Sequence, residues 1–219
     1  MCFSTTGSLV IGTALTATGV VCVKKAARTE KSFILFALIP LFFGIQQITE
    51  GFVWIGLLEN FVLMTAVGVR AYVFFAFCFW PSYAPVAVYL VEKHENANTK
   101  RLLLITTVFG VAAGLTAFFL LMPGYIPLIV KIVGHSISYD TGSPDILKKL
   151  FTTIYLLAVI PPFLVISDVR LKLFGYLLLI SAILAQVIFS YAFVSVWCFF
   201  AGILSIYIGW VVYRLPAKT

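Results

Sequence analysis

The chain has 219 residues, of which 62% are hydrophobic and only 11% are charged, and its mean hydropathy is +1.10. A soluble domain carries about 25% charged residues, so this composition excludes a soluble globular protein. The net charge of +7 does not indicate nucleic-acid binding, because the basic residues are scattered between hydrophobic stretches instead of forming a phosphate-binding face.

Seven apolar segments follow one another along the chain, each near the roughly 20 residues that cross a bilayer. They cover residues 3–23, 33–58, 68–91, 102–122, 150–167, 173–193 and 194–213. The last two are separated in the uncharged stretch from Ser190 to Ser195, because one helix of about 40 residues is far too long for a single crossing. Six spans is the alternative. The sequence therefore predicts an all-α, polytopic bundle of about seven transmembrane helices that forms one domain over residues 1–219.

Small residues recur every three or four positions on three of the predicted spans. Gly110 and Gly114 form a GxxxG pair on the fourth span. The longer stripes are Ser4, Ser8, Gly12 and Thr16 on the first span and Ser195, Cys198, Gly202, Ser205 and Gly209 on the seventh. This spacing lets helix backbones approach closely in lipid, so it predicts helix-packing seams.

Lysine and arginine residues are distributed unevenly between the two sides of the predicted spans. One side carries Lys24, Lys25, Arg28, Lys31, Lys93, Lys100, Arg101, Arg170, Lys172, Arg214 and Lys218, and the other carries Arg70, Lys131, Lys148 and Lys149. Basic loops stay in the cytoplasm, so we expect the N-terminus outside and the C-terminus inside. Membrane lipids are then the immediate partners, and the pattern indicates no oligomeric state.

A carboxylate interrupts the second span, and polar residues share its helix face. Gln46, Gln47, Glu50 and Trp54 are related by steps of three or four residues. A carboxylate inside a span costs at least ~2.5 kcal/mol, so Glu50 is expected to face the bundle interior or a wet cavity. It would be neutralised by a proton, a partner or a cation. The face is either a ligand-binding site in the outer half of the membrane or a hydrogen-bonded cluster that holds helices together.

Cys2, His135 and Cys198 fall on the same outer side as Glu50 under the predicted orientation. Thiolate and imidazole ligands favour zinc or copper over calcium or magnesium, so these four residues are the candidate metal ligands. A Cys2–Cys198 disulfide is the alternative on this oxidising side. If the chain is an enzyme, which the sequence does not decide, Glu50, Cys2 and His135 are the candidate catalytic groups.

The longest stretch between two spans, residues 123–149, contains His135 and is too apolar for a free loop. It is expected to cap the outer end of the bundle as a short hairpin, an interfacial helix or a re-entrant piece. A cap at this place would suit a lid over an outward-opening cavity.

Several sequence blocks resemble a bacterial family of uncharacterised multipass membrane proteins. These blocks are Met1-Cys2-Phe3-Ser4, Gln46-Gln47-x-x-Glu50-Gly51-x-x-Trp54, Trp80-Pro81 and Ser195-Val196-Trp197-Cys198-Phe199-Phe200. His135, Ile137 and Tyr139 also fit the family's pattern in the long outer loop. The resemblance covers nearly the whole chain. It implies a multipass protein of the bacterial inner membrane, and it brings no established activity.

Three classes of function fit these patterns. The preferred one is an outward-facing, membrane-embedded polar site for a metal ion or small ligand, because the reactive residues share one side. A proton-coupled transporter or channel would need a polar path to the cytoplasm, for which the inner halves of three spans offer mainly Thr16, Thr18, Ser205 and Tyr207. The third class is a structural or accessory membrane subunit, in which Glu50 only holds helices together.

Overall fold

The computed structural model describes residues 4–92, 96–122 and 124–215. Within these ranges, seven helices are long and apolar enough to cross a membrane. They are α1 (Thr5–Thr29), α2 (Lys31–Leu58), α3 (Val62–Val91), α4 (Ala97–Leu121), α5 (Asp145–Val165), α6 (Val169–Ile188) and α7 (Ser190–Tyr213). The prediction of an all-α, seven-helix multipass membrane protein is therefore confirmed.

Several helices begin earlier than the apolar segments that predicted them. The α4 helix begins at Ala97 instead of residue 102, because the Asn96 side chain accepts hydrogen bonds from the first backbone N–H groups. The α5 helix begins at Asp145 instead of residue 150. Hydropathy detects only the part of a helix that is apolar enough for hydrocarbon, so polar first turns lie outside the predicted bounds.

Three of the helices contain local departures from α-helical geometry. In α2, a 3₁₀ turn (Lys31–Phe33) and a short segment (Ile34–Ala37) precede the long segment Ile39–Leu58. In α3, a π-helical turn (Phe74–Phe79) lies just before Pro81, where the missing proline N–H disturbs the regular hydrogen-bond ladder. The α7 helix opens with a 3₁₀ turn, Ser190–Ala192, so the chain turns within the predicted stretch between the last two spans.

The predicted small-residue seams are helix contacts. A Cβ atom placed on Gly12 of α1 would lie 2.9 Å from the carbonyl oxygen of Gly44 in α2, and one on Gly44 would lie 2.7 Å from the carbonyl oxygen of Gly12. Gly110 and Gly114 of α4 meet the backbone of α3 equally closely. All five stripe residues of α7 are buried. In the first stripe, Ser4 does not take part in a packing seam, because it is exposed.

The α7 helix occupies the centre of the bundle and α4 lies at its periphery. Of the most apolar stretch of each helix, 67% is buried in α7 but only 17% in α4. The α7 helix packs against α1, α2 and α6, whereas α4 packs against α3 and α5. Side chains on α7 and on the facing side of α2 are therefore the ones placed in the interior.

A two-stranded hairpin lies between α4 and α5. Strands β1 (Ile129–Val133) and β2 (Ser136–Asp140) pair in antiparallel register. The turn holds Gly134 at φ +59, a conformation that favours glycine and that a type II′ hairpin turn needs at its first central position. Of the three predicted forms of the capping segment, the hairpin is the one observed. It packs through β2 on α7 and on the first turn of that helix.

The hairpin defines two different ends of the bundle. We call the end where α2 finishes and α7 begins the hairpin end, because β2 packs there. We call the opposite end the basic end, and among the described residues it carries Lys24, Lys25, Arg28, Lys31, Lys100, Arg101, Arg170, Lys172 and Arg214. The two ends therefore differ strongly in charge.

Candidate functional site

Glu50 lies inside the bundle, about two turns before the hairpin end of α2. Its side chain is fully buried, which confirms that it faces the interior. The hydroxyl Oγ of Ser195, at the start of α7, donates a hydrogen bond of 2.6 Å to Glu50 Oε1. The other carboxyl oxygen, Oε2, is buried without a hydrogen-bond partner in the described structure. The oxygen Oε1 is thus hydrogen-bonded to Ser195, whereas Oε2 is a buried acceptor without a hydrogen-bond partner among the described residues.

The three side chains predicted to line the site, Gln46, Gln47 and Trp54, are buried on the same helix as Glu50. Gln46 Oε1 accepts a hydrogen bond of 2.6 Å from Trp80 Nε1 of α3. Gln46 Nε2, both polar atoms of Gln47 and Trp54 Nε1 have no partner among the described residues. A buried donor or acceptor left unsatisfied costs about 1–3 kcal/mol. A partner that bonds to such atoms would offset this cost.

Tyr72 of α3 belongs to the site, although no pattern in the sequence indicated it. It is fully buried and is a polar neighbour of both Glu50 and Cys198. Its ring stacks on that of Tyr139 in β2, with centroids 4.6 Å apart and planes inclined by 8°. The hairpin therefore contacts the residues that surround Glu50. An aromatic residue in an apolar span looks the same whether it faces lipid or protein, which is why Tyr72 was missed.

The predicted metal ligands occupy different environments. Cys198 is a buried residue of α7 without a disulfide partner among the described residues, His135 is exposed in the hairpin turn, and Cys2 lies outside the described residues. No group of three or more His, Cys, Asp or Glu side chains that could hold a metal occurs in 4–92, 96–122 and 124–215. Glu50, His135 and Cys198 hence form no such group, because the turn places His135 at an exposed position. A zinc or copper site, and the alternative disulfide to Cys198, stay predictions that depend on Cys2.

An aromatic layer lies on the basic side of Glu50. It consists of Phe43, Trp80, Tyr155 and Trp197 from four helices. The rings of Phe43 and Trp80 stack with centroids 3.9 Å apart, and those of Tyr155 and Trp197 meet edge to face at 5.2 Å. These four residues border a small cavity of about 20 Å³ with a mainly apolar lining, which is room for about one water molecule. The polar atoms of the site therefore lie toward the hairpin end.

Three of the four hydroxyl groups considered for a path to the basic end are used locally. Thr16, Thr18 and Ser205 donate to carbonyl oxygens of their own helices, those of Gly12, Ala14 and Gly202. Hydroxyls bonded in this way satisfy their own helix backbone instead of presenting donors to a channel. These three hydroxyls thus offer no free donors to a transport path.

Apart from the first block, most of which lies outside the described residues, the sequence blocks that carried the family resemblance meet at the site. The Trp80 block supplies the hydrogen bond to Gln46, the Ser195 block supplies the bond to Glu50, and the outer-loop pattern supplies the ring that stacks on Tyr72. Residues far apart in the chain thus form one contiguous cluster.

The chain matches, over residues 1–219, the model of a family described as a family of unknown function, DUF6629. No curated protein matches the chain, and no solved structure matches it.

Proposed function

The chain belongs to this family of unknown function, and we propose that it is a membrane protein that binds a small polar ligand or metal ion at Glu50, reached from the hairpin end. The observation that carries this proposal is the set of unpartnered buried atoms on one face of α2: Glu50 Oε2, Gln46 Nε2, Gln47 Oε1 and Nε2, and Trp54 Nε1. Folded proteins retain few such atoms. A ligand that bonds to them would offset the cost of burying them.

The proposed orientation places the hairpin end outside the cell. It rests on the basic residues at the opposite end, which favour the cytoplasmic side. In the bacterial inner membrane that the family resemblance implies, the ligand would arrive from the periplasmic or external face. Cys2, Glu50 and His135 stay the candidate catalytic groups, should a reaction follow binding.

The proposal is tested by ligand binding to a matched pair of variants. Wild type, Glu50→Gln and Glu59→Gln, purified without chelator, would be screened by native mass spectrometry and thermal shift against small polar molecules and metal salts. Glu59 is exposed at the end of the same helix. We expect Glu50→Gln to weaken binding at least tenfold, equivalent to about 1.4 kcal/mol, and Glu59→Gln to bind as wild type. Equal affinities of all three proteins for every bound species would refute the proposal.

We further propose that the hairpin is the lid of this site. Ile137 of β2 is buried in a cluster with Val53 and Trp54 of α2, and Tyr139 stacks on Tyr72. The adjacent Asp140 accepts a 2.7 Å ion-pair contact from Lys148 Nζ of α5. The hydrogen bond from Lys148 is the main cause that lowers the pKa of Asp140 below its ordinary value. Asp140 is therefore ionised at neutral pH, and the pair connects the lid to the bundle.

Breaking this ion pair is expected to open the lid more often. The buried thiol of Cys198 can report opening, through its rate of maleimide labelling in a background where the other three cysteines are replaced. Asp140→Asn should raise that rate by up to about fivefold, since a partly exposed ion pair contributes up to ~1 kcal/mol. Asp145→Asn is the control, because Asp145 is 91% exposed and lies 4.0 Å from the same lysine. Identical labelling in both variants would argue against a lid.

A further inference from the structure

We infer that the ligand of this site is a small monovalent cation, an inference that rests on the proposed function. The first observation is the charge of the interior. Among the described residues, the buried ionisable acids are Glu50 and Glu92, and the buried polar side chains include no lysine, arginine or histidine. Glu92 lies at the basic end, where it accepts a 2.7 Å hydrogen bond from the backbone N–H of Ser167. The carboxyl group at the hairpin end is thus the buried acid that either a proton or a positive ligand must neutralise.

The groups that face Glu50 from each neighbouring helix are uncharged. They are Gln46 and Gln47 on its own helix, Tyr72 on α3, and Ser195 and Cys198 on α7. The basic residues at this end point elsewhere: Arg70, Lys131 and Lys149 are exposed, and Lys148 pairs with Asp140. A buried carboxylate without a cationic partner is costly, so a positive ligand would be bound more strongly than a neutral one.

The unpartnered acceptors match the needs of a singly charged ion. Glu50 Oε2 and Gln47 Oε1 are three residues apart on one face of α2. The buried Ser8 Oγ of α1 is also unpartnered. Calcium takes six to eight oxygen ligands, and zinc or copper prefers the sulfur and nitrogen groups of a closed cluster. One carboxylate balances one positive charge, so a monovalent ion leaves the buried site neutral, whereas a divalent ion would leave an uncompensated positive charge there.

The rings near the carboxyl group favour a cation as well. Trp54 is one helical turn from Glu50 and is buried, and the stacked rings of Tyr72 and Tyr139 lie on the α3 and hairpin side. Aromatic faces attract cations, most strongly where water is excluded. Since every side chain of the site is at least largely buried, the ion must shed most of its hydration shell, which disfavours strongly hydrated divalent ions.

The inference is tested by charge selectivity on the wild-type protein in detergent. Ammonium, methylammonium, sodium, potassium and calcium chlorides, with acetamide and urea as neutral probes, would be titrated against a background of N-methylglucamine chloride. We expect a saturable thermal shift with at least one monovalent cation, and competition between the ions that bind. Glu50→Gln should weaken that binding at least tenfold, and Glu59→Gln should leave it unchanged.

The outcomes separate this inference from the proposed function. Glu50-dependent binding of a neutral probe or of calcium, without a monovalent cation, would overturn the inference and leave the site intact. Binding that is independent of Glu50 throughout would overturn both. Wild type that binds no monovalent cation would overturn the inference whether or not Glu50→Gln folds.

Discussion

Gly44→Ala is expected to lower the free energy of unfolding by about 1–3 kcal/mol, and Gly44→Leu by more, because both overpack a helix contact with no free space. A Cβ atom on Gly44 would lie 2.5 Å from the backbone nitrogen of Thr16 and 2.7 Å from the carbonyl oxygen of Gly12. Backbone atoms cannot rotate away as side chains do. The α1 and α2 helices would have to separate along their shared seam.

The control for this prediction is Gly202→Ala on α7. Its Cβ would meet only side chains, at 3.3 Å from Leu15 Cδ1 and 3.7 Å or more from Phe43. Both changes gain the same helix propensity, roughly 0.5–1 kcal/mol, so their difference isolates the steric effect. The free energy of unfolding of both variants is measured by titration with SDS in mixed micelles, with tryptophan fluorescence as the signal. Equal stabilities of the two variants would show that the α1–α2 contact is looser than the structure indicates.

The second large effect concerns the stability of the ligand-free site. Glu50→Gln keeps an oxygen for the hydrogen bond from Ser195 and replaces a buried ionisable group with a neutral amide. Functional sites commonly reduce stability, and relieving them yields roughly 0.5–2 kcal/mol. We therefore expect the free energy of unfolding of Glu50→Gln to rise by that amount at neutral pH. If Glu50 serves only to hold helices together, the same change should lower it.

A pair of serine variants calibrates this measurement. Ser195→Ala leaves Glu50 Oε1 without its donor, so it should lower the free energy of unfolding by about 1–3 kcal/mol. Ser205→Ala removes a hydroxyl that bonds within its own helix, to the Gly202 carbonyl oxygen, and should have little effect. Similar losses in both variants would mean that the bond to Glu50 contributes nothing specific.

The seven spans could be predicted from sequence because bilayer thickness imposes one length on every crossing. The packing seams could be predicted because only small residues permit close helix contact in lipid. Glu50 and its neighbours on α2 were predictable for a similar reason, since a carboxyl group does not face hydrocarbon. In each case one local property of the sequence has a single physical consequence.

The contacts between helices could not be predicted in this way. The bond from Ser195 to Glu50 joins residues 145 positions apart, and the bond from Trp80 to Gln46 joins different helices. Lipid is as apolar as a protein core, so hydropathy does not tell which aromatic side chains face inward. The same holds for His135, whose exposure follows from the hairpin turn and not from its neighbours in sequence.

The aromatic layer also bears on proton leakage across the membrane. A carboxyl group at this depth would invite a file of water molecules, along which protons could leak between compartments. The four rings and a space for about one water molecule interrupt such a file. The buried carboxyl group of Glu50 is therefore separated from the basic end by a region with little room for a continuous file of water molecules.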